Sequence, residues 1–263
     1  MEQFKLKQIM NENPDAKLRD LVAQLLYDEI INLKINPGTK LNVNQLAASL
    51  GISRTPVAEA IAKLSDIGFV VQHPGQSGSF VLELNLQDMI SLYRVRTAIE
   101  SEAASICAHV VDDDTLRELS ALAEAFKDSV IRRDIDGMRD TDMPFHQLII
   151  KSCGNPYIIQ CYDQLLPKLT MYQASMLQFI TDSSSEANPW MPSVRYNHIS
   201  VVSAIRMRMP ELARQAMSEH VDASLSFTSM AGNGGDPFLM LRDKQAELRR
   251  SPLMIKHTAQ PVI

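Results

Sequence analysis

Cysteine is scarce in this chain. Cys107, Cys153 and Cys161 are odd in number and form no C-x-x-C pair. Their spacing speaks against a disulfide framework or a zinc knuckle, so the expectation is reduced buried thiols in a cytoplasmic protein. Long apolar runs are also missing, so no membrane span is read. The opening MEQFKLKQIMNENPDAK has no apolar core of the kind a secretion signal carries. Positive charge is not in excess either: 26 Lys+Arg stand against 31 Asp+Glu, a net −5. Bulk charge therefore does not announce a nucleic-acid partner. Residues 30–82 lean the other way, with Lys34, Lys40, Arg54 and Lys63 against Glu59 and Asp66. No internal repeat is found, and no strand signal beyond Asn85. The remaining composition, 45% hydrophobic and 22% charged, is that of an ordinary globular protein, and 263 residues suffice for one large domain or for a small and a medium one.

What is there begins with AKLRDLVAQLLYDEIINLK, residues 16–34. Leu18, Leu21, Val22, Leu25 and Ile30 recur at helical spacing. Pro37-Gly38 then marks a turn. A short helix over about 44–50 follows, with Leu46, Ala47 and Leu50 inward and Gly51 closing it. The next stretch, GISRTPVAEAIAKL, predicts a helix capped by Ser53 or Thr55, with Pro56 in its first turn. Val57, Ile61 and Leu64 form its buried stripe, leaving Arg54, Thr55, Ala58, Ala62 and Lys63 to solvent. The period then switches: GFVVQH and GSFVLEL read as two strands joined by PGQS. Helix, helix, turn, helix and hairpin make a winged helix-turn-helix.

From Asn85 the pattern is helical throughout. NLQDMISLYRVRTAIESEAASICAHV starts at a cap on Asn85 and carries Leu92, Ile99, Ala103, Ile106 and Val110 on one face. Further helices are expected over 113–133, about 141–153, 156–180, 190–208 and 210–230, with Pro144 and Pro210 in first turns. The fold class is thus mainly α, a three-helix winged domain followed by an all-α bundle. The boundaries expected are 1–83, 84–231 and a tail, 232–263, with one helical piece over 238–250.

A recognition helix sends side chains from its first turn to base edges in the major groove. Arg54 suits guanine O6 and N7, and Ser53, Thr55 and free N–H groups suit phosphate. On the helix pattern alone, a capping Thr55 and a solvated Arg54 read equally well. LKINPGTKLNVNQLAASLGISRTPVAEAIAKLSDIGFV, however, resembles the DNA-binding domain of GntR-type bacterial transcription regulators, over most of residues 16–83. The resemblance implies that Arg54 reads guanine beside Ser53 and Thr55 and that Asn44 touches the backbone. It also implies a wing tip of His73 and Gly75 to Gly78 approaching the minor groove. Where the family commonly carries a second arginine on this helix face, this chain has Ala58, so no family operator is transferred.

The second motif is Asp142-Met-Pro-Phe-His146, a carboxylate and an imidazole one helical turn apart. His198 and His220 lie on later helices. One carboxylate and three imidazoles suit a divalent metal, although lone helical histidines are usually ordinary core or surface groups. Residues 85–230 are similar to the all-helical FCD effector domain of the FadR branch. That resemblance implies that Asp142, His146, His198 and His220 hold a divalent ion such as zinc, nickel or manganese. CGNP, Cys153 to Pro156, matches a turn downstream of the pair, and YRVRTAIE, Tyr93 to Glu100, the family's Arg-x-x-x-Glu helix. Arg96 is then either a clamp on a small carboxylic-acid effector or the partner of Glu100 in an i,i+4 pair. Asn155 is an effector contact or a turn-former and cap.

These expectations combine into a homodimeric, ligand-responsive repressor acting on a two-fold-related double-stranded DNA operator. A hinge is expected near Glu83 to Asp88. The rival readings are a metal-dependent hydrolase or lyase carrying a DNA-binding domain, and an architectural DNA-binding protein with an empty bundle.

Overall fold

A computed structural model of the protein describes residues 2–182 and 197–225. Its first helix, α1 (Glu2–Glu12), was not anticipated. The apolar signal there is thin: Leu6 is buried, whereas Phe4 is 73% exposed. Docking rather than periodicity holds it, through Leu6 in the winged-domain core and a 2.6 Å ion pair between Lys5 and Glu29. Helix α2 (Leu18–Ile31) follows, burying Leu21, Val22, Leu25, Leu26 and Ile30.

Helices α3 (Val43–Leu50) and α4 (Arg54–Asp66) form the helix-turn-helix. Gly51 closes α3 at φ 68°, a left-handed turn that glycine adopts without strain. Val57, Ala60, Ile61 and Leu64 are the buried face of α4. The wing has three strands rather than two: β1 (Lys40–Leu41), β2 (Val70–Val71) and β3 (Ser79–Val81), in the order β1-β3-β2. Both pairings are antiparallel, with Lys40 opposite Phe80 and Val70 opposite Val81. Two residues after a Pro-Gly turn carry no strand signal of their own, and β1 exists through pairing with β3.

The second half is helical among the described residues: α5 (Leu86–Val110), α6 (Asp113–Arg132), α7 (Ile135–Ser152), α8 (Pro156–Asp182), α9 (Asn197–Arg206) and α10 (Pro210–Leu225). The Asn85 side chain caps α5 by accepting from the Asp88 N–H at 2.8 Å. The expected apolar face of α5 is misplaced in part. Val110 is 58% exposed and Ile99 and Ile106 are half-buried, while Arg96 and Glu100 point into the core. A buried ion pair hides from a reading by hydropathy.

Helix α7 begins six residues earlier than expected because Asp134 caps it, accepting from the Gly137 N–H at 3.0 Å. Pro144 therefore lies inside the helix, not in its first turn, at the cost of one backbone hydrogen bond. Pro156 and Pro210 do open α8 and α10. The expected helical stretches 190–196 and 226–230 and the tail 232–263, with its piece 238–250, lie outside the described residues.

Two large apolar clusters organise the molecule. One joins α1 to α4 with the wing; the other joins α5 to α10. Met171 of α8 belongs to the first cluster, and Leu84, after the last strand, packs against both.

Candidate metal centre and nucleic-acid interface

The N-terminal ends of α3 and α4 lie on the surface. Asn42, not Asn44, caps α3: its Oδ1 accepts from the N–H groups of Asn44 (3.0 Å) and Gln45 (3.2 Å). The Asn44 side chain is left exposed. Ser53 holds the cap position of α4, but its hydroxyl makes no capping bond, and Thr55 lies within the helix. The expectation of a hydroxyl cap is therefore not met. The amides of that first turn have no side-chain cap, and Ser53, Arg54, Thr55 and Ala58 are all exposed around them. Uncapped amides at a helix start favour an anion such as phosphate.

The wing differs from expectation at His73. Its ring packs on Phe80, with centroids 5.0 Å apart, and Nε2 lies 3.9 Å from Glu83 Oε1. This aromatic residue turns towards the apolar body of the wing, leaving Pro74 to Gly78 at the exposed tip. Gly75 and Gly78 sit there at φ 78° and 113°. A Cβ on Gly78 would come within 2.7 Å of the Lys40 side chain, whereas one on Gly75 would meet open space.

In the helical half, Asp142 and His146 of α7, His198 of α9 and His220 of α10 converge. One ligand atom from each lies within 4.8 Å of every other. His146 Nε2 is 3.0 Å from His220 Nε2 and 3.4 Å from His198 Nε2. Asp142 Oδ1 is 3.2 Å from His198 Nε2 and 3.7 Å from His146 Nε2. Donors held about 2.05 Å from one shared ion would lie about 3.3 Å apart if tetrahedral and about 2.9 Å apart if octahedral, the latter leaving positions open. All three imidazoles are buried.

A ring of further contacts sets the electrostatics. Glu100 Oε2 lies 2.7 Å from His146 Nδ1, and Glu100 Oε1 accepts from Arg96 Nε at 2.7 Å. With the His146 proton on Nδ1, its Nε2 presents a lone pair towards the other two rings. A cation at that point relieves the crowding of lone pairs and uses them, so the residues fit a divalent ion. Gln173, buried on α8, donates from Nε2 to Asp142 Oδ2 at 2.6 Å.

Burial opposes ionisation of Glu100, but Arg96 and His146 outweigh it and bring the carboxyl down to about 2. Asp142 is likewise held well below its usual range, burial being outweighed by hydrogen bonds to His146 and His198. Burial disfavours the His146 cation, yet Glu100 beside it raises the pKa. His198 and His220 are pushed down, chiefly by burial.

Beside the cluster is a cavity of about 30 Å³, lined by Tyr93, Arg96, Asp142, Gln173 and His220 among others. It holds roughly two waters, so a larger ligand requires the surrounding side chains to move. Arg96 meets both of its expected descriptions geometrically: it pairs with Glu100 and borders the cavity. Asn155 does not line it. Its Oδ1 accepts from the N–H groups of Tyr157 (3.0 Å) and Ile158 (3.3 Å), which makes it the cap of α8, the second of its two expected roles. Gln173 was missed, although a lone amide in LTMYQASML, whose other polar members carry only hydroxyls, is the signal that finds it.

Residues 18–81 match the family model described as bacterial regulatory proteins, gntR family, and residues 91–223 match the FCD domain. The chain belongs to the GntR family of bacterial transcriptional regulators, in the group that carries an FCD domain. It is 24% identical over 209 residues to the HTH-type transcriptional repressor RspR of Escherichia coli K12, spanning 80% of this chain and 88% of that one. It is 25% identical over 201 residues to the gluconate operon transcriptional repressor of Bacillus licheniformis, spanning 76% and 81%. The solved structure of E. coli McbR/YncC shares the fold with a TM-score of 0.64 at 20% identity, covering 83% of this chain and 100% of that one. These relatives are regulators, not enzymes, and the hydrolase or lyase alternative is set aside. No described helix is long and apolar enough to cross a membrane.

Proposed function

We propose that this regulator is a cytoplasmic, homodimeric repressor whose affinity for a two-fold-related DNA operator responds to a small carboxylic acid. Residues 1–83 are the DNA-reading unit, 84–231 the effector-binding and dimerising unit, and 232–263 a tail. Arg54 reads guanine, Ser53, Thr55 and Asn44 hold phosphates, and Gly75 and Gly78 shape a wing over the minor groove. Asp142, His146, His198 and His220 hold a divalent ion, with zinc, nickel and manganese the candidates.

When bound, the ion supplies Lewis acidity and open positions for a carboxylate. The chain's own residues orient it: Glu100 fixes the ring of His146, Gln173 fixes Asp142, and Arg96 offers positive charge beside the cavity. The observation that carries the reading is the convergence of one half-buried carboxylate and three buried imidazoles within 4.8 Å, in the same chain as an exposed, uncapped helix start bearing Arg54. The relative named for a gluconate operon supports a small organic acid as the ligand class.

The test is to select bound sequences from random DNA and measure affinity for the winner with chelated protein, with zinc, and with zinc plus a panel of carboxylic acids. Recovery of an inverted repeat and a zinc-dependent response to one acid support the proposal. An affinity indifferent to zinc and to every acid contradicts it.

A further inference from the structure

Three consecutive residues of α8 face three different parts of the molecule. Gln173 reaches the metal cluster, donating to Asp142 Oδ2 at 2.6 Å. Tyr172, fully buried, reaches the segment that joins the two halves. Its hydroxyl accepts from the Asn85 N–H at 3.2 Å and lies 2.9 Å from the Asn85 carbonyl and 2.8 Å from Asp88 Oδ2, so its single proton serves one of those two acceptors at a time. Met171, also fully buried, belongs to the apolar core of the winged domain. About 3 Å of helix rise separates the first of these from the last.

The neighbouring contacts share this arrangement. One turn earlier, Lys168 pairs with Asp88 at 2.9 Å, and the Pro167 ring sits where a Cβ on Gly68, after α4, would lie 3.2 Å away. On α7, one turn before Asp142, Arg139 donates to the side chain of Asn32 at the end of α2, at 2.8 Å. The two helices joined by the Asp142–Gln173 bond thus both touch the winged domain.

We propose that Met171, Tyr172 and Gln173 couple the cluster to the DNA-binding half, with Gln173 and Tyr172 as positioning residues. A change in how Asp142 is held alters its bond to Gln173, and close packing leaves α8 little freedom to absorb it. Tyr172 then re-seats Asn85 and Asp88, where α5 leaves the wing, while Met171 shifts the floor under the helix-turn-helix. The inference deepens the reading of the cluster as a metal site and rests on it for its physiological trigger; the coupling itself is testable without metal.

The test reads amide hydrogen exchange over residues 82–90 in the full chain. In chelated protein, Gln173→Met is expected to speed exchange there about tenfold, the size of a coupling between groups in contact. In a Tyr172→Phe background the same change should add less than about twofold. No effect of Gln173→Met on 82–90, or effects of the two substitutions that simply multiply, would overturn the coupling; should Gln173→Met fail to fold, Gln173→Asn takes its place. A second arm adds zinc, with binding followed by calorimetry. Zinc that binds both proteins but changes exchange at 82–90 only in the wild type supports the proposal, and zinc that binds without changing it in either overturns it. Failure of zinc to bind at all sinks the metal reading, and the chelated arm still decides the coupling.

Discussion

Glu100 bridges Arg96 and His146, with one carboxylate oxygen 2.7 Å from each partner. On an exposed helix, an i,i+4 pair such as Arg96–Glu100 contributes only a few tenths of a kcal/mol. Here both members are buried, and the second oxygen of Glu100 lies against the His146 ring of the Asp/His cluster. The pair is therefore part of the site. A proton on Nδ1, the nitrogen that faces Glu100, would leave Nε2 to be offered to a cation.

Glu100→Gln keeps the shape of that side chain but removes its charge. Zinc affinity is expected to fall about 10–100-fold, the usual effect of losing a carboxylate behind a ligating histidine. Calorimetric titration checks this, with circular dichroism confirming the fold; an unchanged affinity would remove Glu100 from the site.

The same carboxylate makes stability depend on pH in a definite direction. Its pKa of about 2 in the folded protein lies below the ordinary 4.5. A depressed carboxyl stabilises the fold above its unfolded value and loses that contribution as pH falls through the folded one. Metal-free protein should therefore lose about 3 kcal/mol from Glu100 between about pH 4.5 and about pH 2, with Asp142 adding in the same direction. Urea unfolding at a series of pH values measures it. The dependence should be shallower in Glu100→Gln, and identical slopes would contradict the assignment.

Effector binding should require the metal. With zinc bound, a hundredfold excess of a recognised acid over its Kd stabilises the native state by about 2.7 kcal/mol, raising the unfolding midpoint by several degrees. The rise should vanish on chelation. Because the cavity is only about 30 Å³, the acid should also change hydrogen exchange of the α8 and α10 residues that line it. A midpoint rise that survives chelation would place the acid elsewhere.

Arg54→Ala should cost about 1–3 kcal/mol of discrimination between the selected operator and scrambled DNA, if its fork meets a guanine edge. Competition binding at fixed salt measures the difference. Equal loss for both DNAs would make Arg54 a phosphate contact instead.

The helix-turn-helix was legible because its apolar stripe, Pro56 and Gly51 are local signals, and they produce α3, α4 and the turn between them. The four cluster residues were named from spacing and resemblance; that α7, α9 and α10 converge on one point is a property of tertiary packing. What escaped the sequence reading depends on such non-local contacts. Helix α1 is held by Leu6 and the Lys5–Glu29 pair, and β1 by its pairing with β3. The inward face of α5 carries charges that neutralise each other, so hydropathy points to Val110; the Arg96–Glu100 pair is legible from its i,i+4 spacing, but its burial against His146 is not. Asp134, which extends α7 and places Pro144 inside it, reads equally well as a loop residue until the helix beyond it is known.

The most direct test of the account is a calorimetric zinc titration of the chelated full chain beside His146→Ala and His198→Ala. The account predicts one zinc per chain in the wild type and loss of tight binding in both variants, with the helical content of each retained. Wild-type zinc affinity in either variant, or no binding by the wild type, would contradict it.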